Sequence, residues 1–386
     1  MRPFFACLFL LGMDLNAFAQ QPRLALDNAA IAGRIVRQLA LKPGERVIIV
    51  AHPGMLEPLV PHLRYEVIRA GGIDLGVVLV PPLPIRATWD RAIFDKATRE
   101  ARAAYKTMFR DVDAAIMMPG ATPADAAYGA MQDWLHDGRA RTVHFHWLEN
   151  GSAYPLPGQP LPAEATIDAV YQRAVLETDY EALAALERRF AEAMRDREIH
   201  ITSPAGTDLR FRIGDRPVNL QDGDASAARA ARARVLVDRE IEIPAGVVRV
   251  APIEESVEGT IAFPPSQWDA RAVEGLKLTF SRGRVTGITA STGRDAVEAE
   301  LARAGAAGRS FREFALGFNP LLAVPERSPW IPYYGYGAGV VRLSLGDNSE
   351  LGGAAGGGYV RWNFFTDLTV TVGDTTCVRD GKLIFK

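Results

Sequence analysis

Two domains, an N-terminal α/β half and a C-terminal α+β half, are what this sequence predicts, and three observations predict them. At 386 residues the chain is long enough for two domains of ordinary size, each with its own core. Between Ile31 and Trp147, buried-looking apolar runs alternate with amphipathic helical segments, which requires crossover connections and a mostly parallel, doubly wound sheet. From Glu198 onward the pattern changes to short alternating strands, as in a largely antiparallel sheet. A hydrophobic content of 48% with 23% charged residues is that of a soluble globular protein. A net charge of −2 gives no electrostatic reason to expect nucleic acid or an anionic membrane as partner.

The elements follow in order. Apolar positions recur at helical spacing from Ile31 to Leu41, and Lys42-Pro43-Gly44 ends that helix. Glu45–His52 reads as a buried strand, Met55–Ala70 as an amphipathic helix closed by Gly71-Gly72, and Asp74–Val80 as a second strand. Asp90–Arg110 is a long helix, Ala114–Met118 a third strand, Ala124–His136 a helix and Arg141–Trp147 a fourth strand. The Gly/Pro-rich Asn150–Pro162 closes the first domain, residues 20–162. Helices near Ala163–Ala174 and Asp179–Arg197 connect it to the second domain, residues 198–386.

In the second domain, strands are expected at Glu198–Thr202, Asp208–Ile213, Gly246–Ala251, Thr260–Phe263, Leu276–Phe280 and Val285–Ala290. Helices are expected at Arg294–Ala304 and Arg309–Leu316, then strands at Val340–Leu345, Tyr359–Phe364, Leu368–Val372 and Lys382–Phe385. Gly352–Gly358 reads as a flexible loop able to approach a ligand closely.

Residues 1–19 have the layout of a secretory signal peptide. Arg2 precedes the apolar run Phe4–Gly12, too short to span a bilayer, and Ala17-Phe18-Ala19 offers a small-residue cleavage site. A periplasmic or secreted location is therefore expected. Cys7 falls in the removed segment and does not fit a lipobox. The mature chain then keeps Cys377 alone and forms no intrachain disulfide.

No glycine-rich phosphate fingerprint follows a strand of the first domain, so nothing specifies a nucleotide. Gly335–Gly339 is glycine-rich but precedes a strand and reads as a turn. His144 and His146 share one face of the fourth strand, and His52 ends the first strand at the carboxyl edge of the sheet. None has a neighbouring ligand in sequence or a Gly-x-Ser-x-Gly elbow, and Ser349 and Cys377 lack a nearby base. A serine or cysteine hydrolase is not supported. The run Trp330–Tyr336 suits a binding wall, a subunit contact or packing between the domains.

Several segments in order resemble one family. They are LKPGERVIIVA (41–51), LVPHLRYEVIRAGG (59–72), SPAGTDLRFRIGDRPV (203–218), IPAGVVRVAPIEESVEGTIAF (243–263), REFALGFNP (312–320), VVRLSLGDN (340–348) and VRWNF (360–364). Over nearly the whole mature chain the pattern is similar to the aminopeptidase T-like metallopeptidases, a two-domain family. That resemblance implies two divalent metals, zinc for example, that activate a water and polarise a peptide carbonyl. It places the metal ligands at Val247, Glu313, Arg342, Arg361 and Asn363 of this sequence, with Ser349 nearest to a tyrosine of the family. Only Glu313 keeps a ligand of the implied kind. Valine has no donor atom, arginine stays protonated, and asparagine is a weak neutral ligand. All six histidines precede residue 201, and Glu240 and Glu242 are the nearest offset substitutes.

Two readings of these replacements stay open. Arg342 and Arg361 could form a buried ion-pair cluster with Glu313, with Glu254 and Glu255 close in sequence, that holds the pocket's shape. Alternatively, the two arginines hold a carboxylate-bearing or peptide-like ligand, oriented by Glu313, with Asn363, Asp347, Asn348 and Ser349 as further polar contacts. The second implies a repurposed, metal-independent cleft. Competing with both are an active metal-dependent aminopeptidase with atypical ligands and a mononuclear-iron ring-cleaving dioxygenase relative. Family members tend to be dimers, which makes a homodimer the expected assembly.

Overall fold

The computed structural model describes residues 24–80, 90–122, 125–148 and 151–386. The expected signal segment, with Cys7, lies outside them. No described helix is long and apolar enough to cross a membrane.

The first sheet is parallel throughout, in the order Ile73–Leu79, Arg46–Ala51, Ala114–Met117, Thr142–Phe145, Glu240–Ile243. Alternation along its strands makes it doubly wound. Val47 and Ile49 face the helices Asn28–Leu39, Leu59–Arg69 and Glu164–Glu177. Ile48 and Val50 face Arg91–Met108 and Ala126–His136. The fifth strand is not legible in the sequence: Glu240–Ile243 is four residues long, and the chain returns to the first sheet from far along its length.

The second half is a sandwich of two antiparallel sheets. Eight strands, among them Glu198–Thr202, Asp208–Arg212, Glu258–Ala262 and Thr369–Val372, make the outer layer. The inner layer runs Val360–Arg361, Val341–Gly346, Phe311–Gly317, Val247–Val250, Val218–Gln221, with Phe364–Phe365 also pairing Val341–Gly346. Phe314, Leu316, Val341, Leu343 and Leu345 turn inward to meet Ile199, Phe211, Leu278 and Val370. On the opposite face, Val247 and Ala315 pack into the core of the first domain. The inner sheet is therefore the middle layer of the molecule, and its outer face is the seam between the halves.

One expected element changes type. The sequence predicts a helix at Arg309–Leu316, but Phe311–Gly317 is a strand buried along its whole length. Arg, Glu, Ala and Leu favour a helix locally. The segment instead sits between two strand partners with both faces covered, so its sequence carries no alternation to reveal it. The aromatic run Trp330–Tyr336 lies in the seam. Tyr171 of the first half meets Trp330 at 6.2 Å and Tyr333 at 5.5 Å between ring centroids. Cys377 is buried in the strand Thr375–Arg379, and burial pushes its thiol up to about 11.

Candidate functional site

Directly opposed residues of antiparallel strands share a face, so the register fixes what the seam contains. Arg249 lies opposite Ala315, Ala315 opposite Arg342, and Glu313 opposite Ser344. These residues all point towards the first domain. A register shift between Phe311 and Glu313 brings Arg312 onto the same side as Glu313, as a β-bulge does.

The result is a buried ion-pair cluster. Glu313 is 0% exposed. Its Oε1 accepts from Arg342 Nε at 3.0 Å and Ser344 Oγ at 3.1 Å. Its Oε2 accepts from Arg249 Nε at 3.2 Å and Nη2 at 3.1 Å, with Arg312 Nε 3.9 Å away. Burial alone would raise this carboxyl's pKa, but Arg342, Arg249 and Arg312 together hold it well below the usual carboxylate range. Glu350 closes the cluster, accepting from Arg249 Nη2 at 3.0 Å and from Arg312 Nη2.

A dication does not fit this arrangement. Both oxygens of Glu313 are taken by guanidinium and hydroxyl donors, Val247 is packed as an apolar core residue, and Arg342 adds a permanent positive charge. Among the described residues, no group of three or more His, Cys, Asp or Glu side chains is arranged to hold a metal ion.

Arg361 and Asn363 are not brought to Arg342. Arg361 lies opposite Leu345 and Phe365 opposite Val341, both of which face the sandwich core. Arg361 donates to Glu300 Oε1 and Gln267 O, both at 2.7 Å, and to Asn363 Oδ1 at 3.2 Å. Its guanidinium carbon sits 3.5 Å from the Trp268 ring centroid. Asn363 donates to Leu343 O at 3.0 Å. The two arginines therefore cannot grip one carboxylate together. Trp362 and Phe364 are the residues of this segment that face Arg342.

Asp347, Asn348 and Ser349 organise a loop away from the cluster. Asp347 accepts from Ser349 N at 2.9 Å, Ser349 Oγ at 2.6 Å and Gly358 N at 2.9 Å. Buried Asn348 accepts from Ala355 N at 2.8 Å and donates to Glu254 Oε1 at 3.0 Å. The expected flexible loop is anchored at Gly353, where a Cβ would come within 2.1 Å of the Asn348 side chain. Glu254 also pairs with Arg216, so it serves this loop and not Glu313.

Arg342 has one donor left over. Nε is given to Glu313 and Nη1 to Tyr334 O at 3.3 Å, while Nη2 is buried and has no acceptor. The guanidinium carbon lies 4.9 Å from the centroid of the Trp362 ring. Around it stand aromatic groups: Tyr334 is 5.4 Å from Trp362 and 5.5 Å from His146, and Tyr154 is 4.4 Å from Phe364.

The histidines of the first domain reach the same seam. His144 Nδ1 is 3.1 Å from Tyr128 Oη, and its Nε2 is 3.5 Å from Glu240 Oε1. Burial, then the neighbouring His146, keeps the His144 pKa far below normal. Burial pushes Glu240 up to about 8, although Gln132 donates to it. Burial thus disfavours the charged form of both partners. Glu242 accepts from Tyr336 Oη, and His52 is buried at the end of its strand, 3.1 Å from Pro53 O.

Sequence reasoning missed Arg249, Arg312, Ser344 and Glu350. Arg249 carried a usable signal, a lone charge inside the apolar run Val247–Val250, two residues from Val247 and so on its face. Arg312 shares the seam only because of the bulge, which the sequence does not announce.

The fold is similar to two solved structures. A 2,5-dihydroxypyridine dioxygenase from Pseudomonas putida KT2440 superposes with a TM-score of 0.62 at 13% identity, covering 93% of this chain and 97% of that one. Wild-type AmpT from Thermus thermophilus superposes with a TM-score of 0.58 at 17% identity, covering 92% of this chain and 99% of that one. No curated protein matches in sequence. Residues 178–321 match the family of thermophilic metalloproteases, peptidase family M29, and the matched stretch contains Val247 and Glu313. The chain is thus similar to the thermophilic metalloproteases over residues 178–321, and it shares its two-domain fold with both solved structures.

Proposed function

We propose that this aminopeptidase-like protein uses its former metal cleft for metal-independent binding of a small carboxylate-bearing or peptide-like ligand, with Arg342 as the anion acceptor. The observation that carries the reading is Arg342 Nη2, a buried guanidinium nitrogen with no acceptor. A buried donor left unpaired costs about 1–3 kcal/mol, more when charged. A ligand carboxylate would supply the missing acceptor through a charge-assisted hydrogen bond. Trp362, 39% exposed, covers the guanidinium, so its movement would admit the ligand. Glu313 orients Arg342 through Nε, and Arg249 and Arg312 keep Glu313 ionised.

Calorimetric titration of monocarboxylates and dipeptides tests the reading. Arg342→Gln should weaken carboxylate binding at least tenfold, about 1.4 kcal/mol, while the protein stays folded. Equal affinities in wild type and variant would remove Arg342 from the site. Export as a mature chain beginning at Gln20 belongs to the same proposal. N-terminal sequencing of protein recovered outside the cytoplasm should begin there, and an intact Met1 would refute it.

A further inference from the structure

We infer that the ligand carries an aromatic or branched apolar group beside its carboxylate, seated in a crevice along the edge of the inner sheet. This rests on the carboxylate reading above. The crevice is a cavity of 340 Å³ whose walls include Tyr154, Phe263, Pro264, Ile331, Trp362 and Phe364. That volume lies at the small end of ligand sites and suits a single ring or branched chain with a short tail.

One contact joins the cavity to Arg342, and a second lining residue lies near it. Trp362 lines the cavity and also stacks on the Arg342 guanidinium, 4.9 Å from its ring centroid. Tyr154 lines it too. Burial raises the Tyr154 hydroxyl pKa, while Arg342 is near enough to pull it down. Phe364, opposite Arg342 in the sheet, also lines the cavity. Arg342 does not itself line the crevice, and Trp362 stands between the two, so a carboxylate that reaches Arg342 past Trp362 would leave its remainder in the crevice.

The wall chemistry selects the remainder. Pro155, Pro157, Pro264 and Pro265 offer no backbone N–H, so this part of the wall has few donors for a polar group. Arg361 and Asn363 also border the cavity, but Glu300, Gln267 and Leu343 already occupy them. Asp367 on the rim would repel a second carboxylate. The site thus favours arylalkyl or branched-chain monocarboxylates over short acids and diacids.

The test titrates the full chain with acetate, phenylacetate, 4-methylpentanoate, succinate and phenylacetamide. Phenylacetate and 4-methylpentanoate should bind about tenfold or more tighter than acetate, the usual scale for an apolar group in a matched pocket. Succinate should be no better than acetate. Thr366→Trp fills the cavity from one wall and Ser266→Phe from another. Each should bring phenylacetate down to the acetate affinity and leave acetate unchanged, with thermal unfolding showing that the variant is folded. Equal affinity for all carboxylates, insensitive to both fillings, overturns the apolar cavity but leaves the carboxylate reading standing. Phenylacetamide binding as tightly as phenylacetate, with no effect of Arg342→Gln, overturns the carboxylate reading. Absence of binding by every member overturns both.

Discussion

Arg342 and Arg361 stand on neighbouring strands of one sheet, yet they live in opposite circumstances. Arg361, with 18% of its side chain exposed, has a carboxylate that it shares with Tyr359 and the Asp269 N–H, a carbonyl, an amide oxygen and an aromatic face. Each of its nitrogens has work to do. Arg342, with 3% exposed, shares Glu313 with Arg249 and Arg312 and keeps a buried nitrogen without a partner. Residue type alone therefore does not mark a binding arginine. A fully partnered guanidinium is a structural clamp, whereas one crowded around a shared carboxylate has a donor left for something else.

Removing each arginine's counter-ion should separate the two most strongly. Glu313→Ala would leave the buried Arg342 without a carboxylate and Arg249 and Arg312 with Glu350 alone, and we expect a loss of about 3–5 kcal/mol or failure to fold. Glu300→Ala, at a partly exposed pair, should cost only about 1 kcal/mol. Urea unfolding of both variants measures the contrast, and similar losses would break it. Arg361→Ala should fall between them, about 1–2 kcal/mol, because it removes both the pair and the stack on Trp268.

The contrast sharpens with pH. The folded pKa of Glu313 is depressed, so its stabilising contribution is complete above the ordinary glutamate value, near pH 4.5. It is lost as pH falls below that value towards the depressed one. Glu240 has the opposite sign. Its pKa is raised to about 8, so the proton it holds stabilises the fold below the ordinary glutamate value, and that contribution fades as pH rises towards 8. Stability curves from pH 4 to 9 should therefore lose part of their decline between about pH 4.5 and 8 in Glu240→Gln. An unchanged slope in that window would mean that Glu240 is ionised in the fold. The smallest effect is expected at Asp347→Ala, about 0.5–1 kcal/mol, read as faster amide exchange at Ser349 and Gly358.

Much of this fold could be read from residues alone. Val47–Val50 is legible as an unbroken apolar run, because both its faces are buried, and the helices around it follow the 3.6 period. Phe311–Gly317 is also covered on both faces, but Arg312 and Glu313 interrupt its apolar run, so neither alternation nor a continuous run reveals the strand. The candidate site was legible in its positions and not in its directions. Val247, Glu313 and Arg342 do meet at the seam. Val360–Arg361 is a two-residue strand, and a one-residue change of register there decides whether Arg361 or Trp362 faces Arg342. Arg249 was within reach of pattern reading, whereas Arg312 depended on a bulge.

A guanidinium cluster stands where the resemblance to the aminopeptidase T-like metallopeptidases would place divalent metals. Elemental analysis of the mature protein, purified without chelator or affinity tag, tests it most directly. We expect no stoichiometric zinc or similar metal in protein that is folded, and a melting temperature indifferent to added chelator. About two equivalents of divalent metal, lost together with stability on chelation, would contradict the account and return the protein to the metal-dependent aminopeptidases.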